Sequence, residues 1–136
     1  MIKLQKSDIS VIQNGSKTEA YHLDVTSSNN VVTITANEKK GAYYAVQTLK
    51  RLSVKDSNSD YKVYENHIED EPRFEYRGLF LDVGRNFHTK EEIKTILDAM
   101  SIYKLNRFLF HLSEDEGWRL EIPRLEELTK VLMYNS

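Results

Sequence analysis

The sequence of 136 residues contains no cysteine, two prolines, five glycines and one tryptophan. The absence of cysteine excludes disulfide bonds and thiolate metal sites. No stretch approaches the roughly 20 apolar residues of a membrane-spanning helix, and the first ten residues lack the basic start and apolar run of a secretory signal. We therefore predict no membrane partner, and the make-up is that of an ordinary globular domain rather than a fibrous or disordered chain.

Charge of one sign is also lacking. The formal net charge is -2, although 29% of the residues are charged, and no long tract of lysine and arginine is present. This balance predicts no nucleic-acid partner. A hydrophobic content of 40% is sufficient for a packed core.

The first half of the chain has the patterns of a small α+β domain. Residues 21–25 alternate apolar and polar, residues 27–30 are turn formers, and residues 31–35 are almost all β-branched, which predicts a β-hairpin. A helix that packs on this hairpin is predicted by apolar residues at helical spacing, namely Ala42, Ala45, Val46, Leu49 and Leu52. A further strand is predicted at 61–64. We place the domain boundary near Asp70, so that the first domain covers 1–69.

The second half, 70–136, has the pattern of a βαβ unit. Residues 79–83 and 108–112 are nearly continuous apolar runs, typical of parallel strands covered on both faces. Between them, Thr89 and Glu92 have the spacing of a capping box and predict the start of a helix. Such units build barrels or doubly wound sheets. A (β/α)8 barrel needs eight strands and about 250 residues, so we predict an incomplete sheet that associates through its exposed strands.

The loops that follow the two apolar strands contain the candidate site residues, because parallel α/β enzymes build their sites at the carboxyl ends of strands. Arg85 offers a rigid fork of donors for hydroxyls or a carboxylate, and a surface salt bridge is the alternative. Glu114, Asp115 and Glu116 place three carboxylates in sequence, for which a solvated acidic turn is equally compatible. Glycosidase carboxylates are defined by their separation across the scissile bond, not by adjacency, so the three are given no catalytic role.

The remaining aromatic and basic candidates favour structural roles. Trp118 is a stacking platform for a sugar or, as we favour, a core anchor. His111 lies in an apolar strand and forms only a weak metal pattern with Glu114, so no metal or other cofactor is predicted. No spacing links His22, His67 and His88, which we assign to loops or strand surfaces. Arg77 lies at the wrong end of its strand for a barrel site.

Several segments, taken together, resemble one enzyme family. Residues 70–74 (Asp-Glu-Pro-Arg-Phe), 81–88 (Leu-Asp-Val-Gly-Arg-Asn-Phe-His) and 111–123, with its Ser-Glu-Asp-Glu-Gly-Trp-Arg core, closely resemble family-20 glycoside hydrolases of the bacterial chitobiase-like branch. Residues 41–49 are similar to the end of the small α+β domain that precedes the barrel in that family. The resemblance implies the end of a small α+β domain followed by the first βαβ unit of an incomplete (β/α)8 TIM barrel.

The resemblance also implies an activity, which is removal of terminal β-linked N-acetylglucosamine or N-acetylgalactosamine from chitobiose-type oligosaccharides or glycoconjugates. In the family the acetamido oxygen of the substrate attacks the anomeric carbon, and an adjacent Asp-Glu pair on a later strand assists. That later strand is not in this sequence, so we expect no catalytic residue here and no activity of this chain alone. The alternative is a non-catalytic remnant that acts as a sugar-binding or protein-interaction module.

Individual positions carry over from the family as follows. Arg85 matches the arginine that binds hydroxyls of the terminal sugar, and Glu114 matches a sugar-reaching position that is usually aspartate. Asp115 and His111 match residues that support the pocket. Leu109 departs from the family, in which histidine is common at this position. Residues 130–136 do not resemble it, which predicts a truncation or frameshift there.

Overall fold

The computed structural model describes residues 1–7, 9, 17–115 and 117–132. Of residues 131 and 132 it describes the backbone alone. Glu116 and residues 133–136, on which two of the sequence expectations fall, lie outside the described residues. The chain divides into two compact units, Met1–Glu75 and Tyr76–Ser136. The boundary predicted near Asp70 falls at the end of the last strand of the first unit.

The first unit is a four-stranded sheet with one helix. Strands β1 (Ile2–Lys6), β2 (Tyr21–Thr26), β3 (Val31–Ala36) and β6 (Asn66–Asp70) lie in the order β1-β3-β2-β6. Helix α1 spans Lys39–Leu52, and β4 (Val54–Lys55) pairs with β5 (Tyr61–Lys62) in a separate ribbon. The predicted hairpin is confirmed as the β2–β3 pair, and the predicted helix as α1.

Four strands of this unit differ from the sequence expectation. Strand β5 is shorter than the predicted 61–64, while β1, β4 and β6 were not predicted. Strand β6 is mostly polar because it lies at the edge of the sheet, where only Ile68 packs against the core. Its antiparallel pairing with β2 brings His67 to within 6.2 Å of His22, ring centroid to ring centroid, although no spacing linked the two histidines.

The core of the first unit forms where α1 packs on one face of the sheet. Residues of β2 alternate between buried and half-buried, so that Tyr21, Leu23 and Val25 point to the same face. The central cluster consists of Tyr21, Leu23, Ile34, Ala36, Tyr44 and Ala45. A Cβ on Gly41 would lie 2.2 Å from the carbonyl oxygen of Ala20, so only glycine permits this close approach of helix and sheet.

Tyr21 joins three elements of this unit through its hydroxyl. The hydroxyl donates to Asp70 of β6 at 2.7 Å and lies 2.5 Å from the Thr48 hydroxyl of α1, from which it accepts. Burial raises the pKa of the Tyr21 phenol well above its ordinary range, with the Asp70 carboxylate adding to that effect. The hydroxyl therefore remains protonated and the connection stays intact at all ordinary pH values.

The second unit contains the predicted strand–helix–strand order. Strand β7 (Gly78–Asp82) is followed by α2 (Lys90–Ile102), β8 (Arg107–His111) and α3 (Glu126–Leu132). β7 and β8 pair in parallel, with Gly78 opposite Arg107 and Asp82 opposite His111. The capping box is confirmed, since Thr89 accepts from the backbone N–H of Glu92 and the Glu92 carboxylate accepts from that of Thr89.

The faces of β7 and β8 are less covered than their apolar sequences predict. The exposed fraction is 38% for Leu79, 55% for Phe80 and 58% for Leu109. The predicted burial on both faces is therefore not reached by the described residues of this unit. The strands have the composition of covered parallel strands, but too few elements surround them.

The end of α2 is tied to the start of β7. Lys104 takes a left-handed φ of 58°, and its carbonyl accepts a hydrogen bond from Nε of Arg77 at 2.9 Å. The side-chain oxygen of Asn106 accepts from the backbone N–H of Arg77 at 3.0 Å. These bonds agree with the structural role expected of Arg77. None of the helices in the described part of the chain is both long and apolar enough for a membrane span.

Candidate functional site

The candidate site lies where β7 and β8 end side by side. Asp82 and His111 are the last register pair of the two strands. The pairing continues one step further, because the N–H of Val83 donates to the carbonyl of His111 at 3.0 Å. The loop after β8 then folds back, with Ser113 bridging Trp118 and the N–H of Glu114 donating to the carbonyl of Gly117 at 2.8 Å. This geometry brings together the two loops that the sequence singled out.

Arg85 and Glu114 meet across these loops. Nε of Arg85 lies 2.5 Å from Oε1 of Glu114, which is a charge-assisted hydrogen bond. The Glu114 side chain is only 11% exposed, whereas that of Arg85 is 64% exposed. A largely buried carboxylate thus orients a guanidinium that still faces solvent. The salt bridge considered for Arg85 is present, and its partner is another candidate residue.

Asp82 joins the pair from the β7 side, a role that the sequence reasoning missed. Its Oδ1 accepts the backbone N–H groups of Gly84 at 2.9 Å and Arg85 at 3.1 Å. Its Oδ2 lies 3.7 Å from the Arg85 guanidinium and 3.8 Å from Nδ1 of His111. The N–H of Arg85, and after it the charges of His111 and Arg85 and the N–H of Gly84, lower the pKa of Asp82. An aspartate that precedes a glycine by two residues at a strand end was the available signal, since such carboxylates cap turns.

The other predicted site residues take different positions. Nε2 of His111 donates to the carbonyl of Ser113 at 2.8 Å, and its ring lies 6.0 Å from that of Phe80. Asp115 is exposed on the turn, and among the residues that the structure describes it makes no ion pair with Arg85 or His111. The structure therefore brings Arg85, Glu114 and His111 together and leaves Asp115 at the edge.

Trp118 is half-buried and its indole N–H donates to the carbonyl of Leu120 at 2.5 Å. That bond fixes the ring to its own loop, which is compatible with an anchoring role. The stacking alternative stays open on this geometry.

Three of these side chains have the donor atoms of a metal site. One ligand atom each from Asp82, His111 and Glu114 fit within 4.8 Å of one another. The Arg85 guanidinium already contacts both carboxylates, so a metal cation would have to displace a resident positive charge. The arrangement is better suited to hydroxyl groups, which donate to the carboxylates and accept from the guanidinium.

Sequence profiles of one enzyme family match both units. The profile described as "Glycosyl hydrolase family 20, domain 2" matches residues 3–71, and that of the "Glycosyl hydrolase family 20, catalytic domain" matches residues 74–136. The chain belongs to glycosyl hydrolase family 20. It comprises domain 2 of the family and the start of its catalytic domain, which confirms the resemblance seen in the sequence.

Curated members of family 20 are similar over most of this chain. A β-hexosaminidase of Vibrio vulnificus is 48% identical over 118 residues, covering 87% of this chain and 13% of that protein. An N,N'-diacetylchitobiase of Vibrio harveyi is 46% identical, covering 85% of this chain and 13% of that protein. The chain thus spans about an eighth of the length of these relatives.

Solved family-20 structures have the same fold over this region. A Vibrio harveyi exo-β-N-acetylglucosaminidase, determined in complex with N-acetylglucosamine, has a TM-score of 0.81 and 35% identity, covering 96% of this chain and 19% of that one. A Bacteroides fragilis β-N-acetylhexosaminidase has a TM-score of 0.82 and 30% identity, covering 98% of this chain and 26% of that one. The relatives are therefore glycoside hydrolases of one activity class.

Proposed function

We propose that the chain forms part of the sugar-binding wall of a β-N-acetylhexosaminidase that removes terminal β-linked N-acetylglucosamine or N-acetylgalactosamine. The observation that carries the proposal is the Arg85–Glu114 pair, 2.5 Å apart at the carboxyl ends of two adjacent parallel strands. Sites of parallel α/β enzymes lie at these strand ends. The named activity of the relatives supports the same assignment.

Arg85 is the principal sugar contact in this proposal. Its guanidinium presents several N–H donors in a fixed plane, and with one of them bonded to Glu114 the orientation of the others is set. Such a fork suits adjacent hydroxyls of a terminal sugar. Glu114 accepts from a hydroxyl and orients Arg85, while His111 at the end of β8 and Asp115 in the loop after it support the pocket.

The chemical step needs groups beyond these. In substrate-assisted hydrolysis the acetamido oxygen of the sugar forms the new bond at the anomeric carbon, and an acid must protonate the leaving oxygen. Asp82 is unsuited to that task because its lowered pKa keeps it ionised near neutral pH. We therefore infer that the 136 residues bind but do not hydrolyse, and that the acid and the acetamide-orienting group come from later strands of a (β/α)8 barrel.

The exposed strand faces fit this interpretation. Phe80 and Leu109 are 55% and 58% exposed, and an apolar parallel strand is normally covered on both sides. Association with further barrel strands would cover them. A non-catalytic interaction module would use the same surfaces, and so the two readings differ in whether the chain binds a sugar.

The decisive experiment measures turnover of 4-nitrophenyl N-acetyl-β-D-glucosaminide and binding of N-acetylglucosamine by the purified chain. We expect no turnover, together with sugar-dependent NMR shifts at Arg85 and Glu114 that disappear in Arg85→Ala. The matched control is Arg107→Ala, at the opposite end of β8, which should leave the shifts unchanged. Turnover that is lost in Arg85→Ala would contradict the proposed division of labour, and an absence of sugar-dependent shifts would favour the interaction module.

A further inference from the structure

We propose that Arg119 is a positioning residue, which holds the loop after β7 so that Arg85 meets Glu114. The sequence reasoning gave Arg119 no role. The contacts of Arg119 do not depend on a sugar. The inference rests on the proposed function only where it takes Arg85 to be the sugar contact that is positioned.

The Arg119 side chain crosses from one loop to the other. The backbone N–H of Arg119 donates to the carbonyl of Leu112 at 2.8 Å, which anchors the residue beside the end of β8. Its guanidinium then donates from Nε to the carbonyl of Val83 at 2.9 Å and from Nη2 to the carbonyl of Gly84 at 3.3 Å. The two carbonyls immediately before Arg85 are thus held by one side chain.

Asp82 holds the same peptide from the other side. Its carboxylate accepts the N–H groups of Gly84 and Arg85, while Arg119 takes the carbonyl of Gly84. The residue before Arg85 is therefore fixed at both its N–H and its C=O. The Arg85 side chain is long and 64% exposed, so many rotamers are accessible to it. Its direction is defined only if the backbone from which it projects is fixed.

A close contact between two glycines permits this crossing. A Cβ on Gly117 would lie 2.0 Å from the carbonyl oxygen of Gly84, and neither glycine has a positive φ. Glycine is therefore required at 117 for space, not for backbone conformation. The carbonyl of Gly117 in turn accepts from the N–H of Glu114. The Gly84–Gly117 contact therefore places the backbone beside Arg85 against the backbone that holds Glu114.

The contacts of Arg119 also define what a substitution removes. The carbonyls of Val83 and Gly84 are neutral acceptors, and the guanidinium carbon lies 5.5 Å from the centre of the Phe87 ring. A lysine keeps the charge but, with a single nitrogen, cannot hold two carbonyls from fixed directions. The planar fork of Arg119, which reaches two successive carbonyls, is the feature that positions Arg85 in this proposal.

The test uses the 136-residue chain and the NMR signal of the Arg85 Nε–Hε group, whose proton is held by Glu114. Arg119→Lys and Arg119→Met should each speed exchange of this proton with solvent by about tenfold, the range for loss of a charge-assisted hydrogen bond. Glu114→Gln defines full loss of the ion pair. Arg107→Met, which removes a hydrogen bond to the neighbouring carbonyl of Asn106 at the opposite end of β8, should leave the rate unchanged.

The controls separate positioning from folding. The amide signals of β7 and β8, including Val83, must keep their positions in the Arg119 variants. Gly117→Ala, with Arg119 intact, should also speed exchange at Arg85. An unchanged Arg85 rate in both Arg119 variants, while Glu114→Gln raises it, would overturn the proposal. Loss of the strand amide pattern in both Arg119 variants would overturn it too, because Arg119 would then be a general fold residue.

The same samples separate this inference from the proposed function. The exchange rates are measured without sugar, so they decide the role of Arg119 alone. Addition of N-acetylglucosamine to the wild-type chain then tests the sugar contact. An Arg85 signal that does not respond to sugar would count against the proposed function and leave the positioning result standing.

Discussion

The two units of the chain differ in how far they complete a core. Of the eleven hydrophobic residues that are buried among the described residues, nine lie in the first unit and only Val83 and Met100 lie in the second. The first unit has strands with one apolar face and a helix to cover it. The second has strands that are apolar on both faces and too few neighbours. The described part of the second unit nevertheless contains two strands and two helices. Secondary structure therefore forms there without the burial that stabilises the first unit.

The largest expected effect sharpens this contrast with one leucine in each unit. Leu23 is fully buried, and Leu23→Ala should destabilise the first unit by about 2–5 kcal/mol through lost burial and a cavity. Leu109→Ala is the matched change at a site that is 58% exposed, and should cost less than about 0.5 kcal/mol. Urea titration followed by the NMR signals of β2 and β7 reports each unit separately. A large cost at Leu109 would show that the second unit is covered in solution.

A smaller effect is expected at the start of α2. Thr89→Ala removes both the side-chain acceptor for the N–H of Glu92 and the capping box, which should cost about 1 kcal/mol. Amide exchange in α2 measures the change. Thr95→Ala, inside the same helix, is the control and should be neutral or slightly stabilising because alanine has the higher helix propensity. Equal effects of the two substitutions would show that the cap contributes nothing in an incompletely packed unit.

The smallest effect concerns pH, to which the units respond in different windows. Hydrogen bonds with Asp24 and Glu69, which face His67 together with His22, raise the pKa of His67 above its ordinary value of 6.5. The stabilisation that His67 contributes to the first unit is therefore complete below pH 6.5, and it is lost as pH rises through the pKa of His67 in the folded state. In the second unit the pKa values of Asp82 and Glu92 are lowered, so their stabilisation is present above 3.8 and 4.5 and is lost as pH falls.

The measurement for this prediction is the free energy of unfolding of each unit at several pH values from 2 to 9. His67→Gln should flatten the dependence of the first unit's unfolding free energy on pH above pH 6.5, and leave that of the second unit unchanged. His88→Gln, in the second unit, is the matched control and should leave that slope of the first unit intact. A slope that persists in His67→Gln would assign the effect to another group.

The sequence predicted those parts of the fold whose patterns are local. The β2–β3 hairpin, α1 and the βαβ order follow from alternation, helical spacing and the Thr89–Glu92 cap. Strands β1 and β6 were missed because β6 has few apolar residues and both take their place through pairing with distant segments. At the site, Arg85 was a candidate from its position after an apolar strand, whereas Glu114 was singled out from the three adjacent carboxylates only by the family resemblance. The turn-capping role of Asp82 had a local signal in the glycine two residues later, whereas its contact with His111 and the roles of Gly117 and Arg119 depend on the register that places Asp82 opposite His111.

The bond from Tyr21 to Asp70 has a consequence for the order in which the first unit folds. The two residues are 49 positions apart, whereas the β2–β3 hairpin closes over a four-residue turn. Loop closure makes the distant pairing slow, so the hairpin and α1 form early and β6 docks last. On the ribosome, Asp24 can meet His67 and the hydroxyl of Tyr21 can meet Asp70 only after the chain has emerged beyond residue 70, whereas Thr48, the other partner of that hydroxyl, is available earlier. The last strand to arrive thus completes the hydrogen bonding of the first strand of the hairpin.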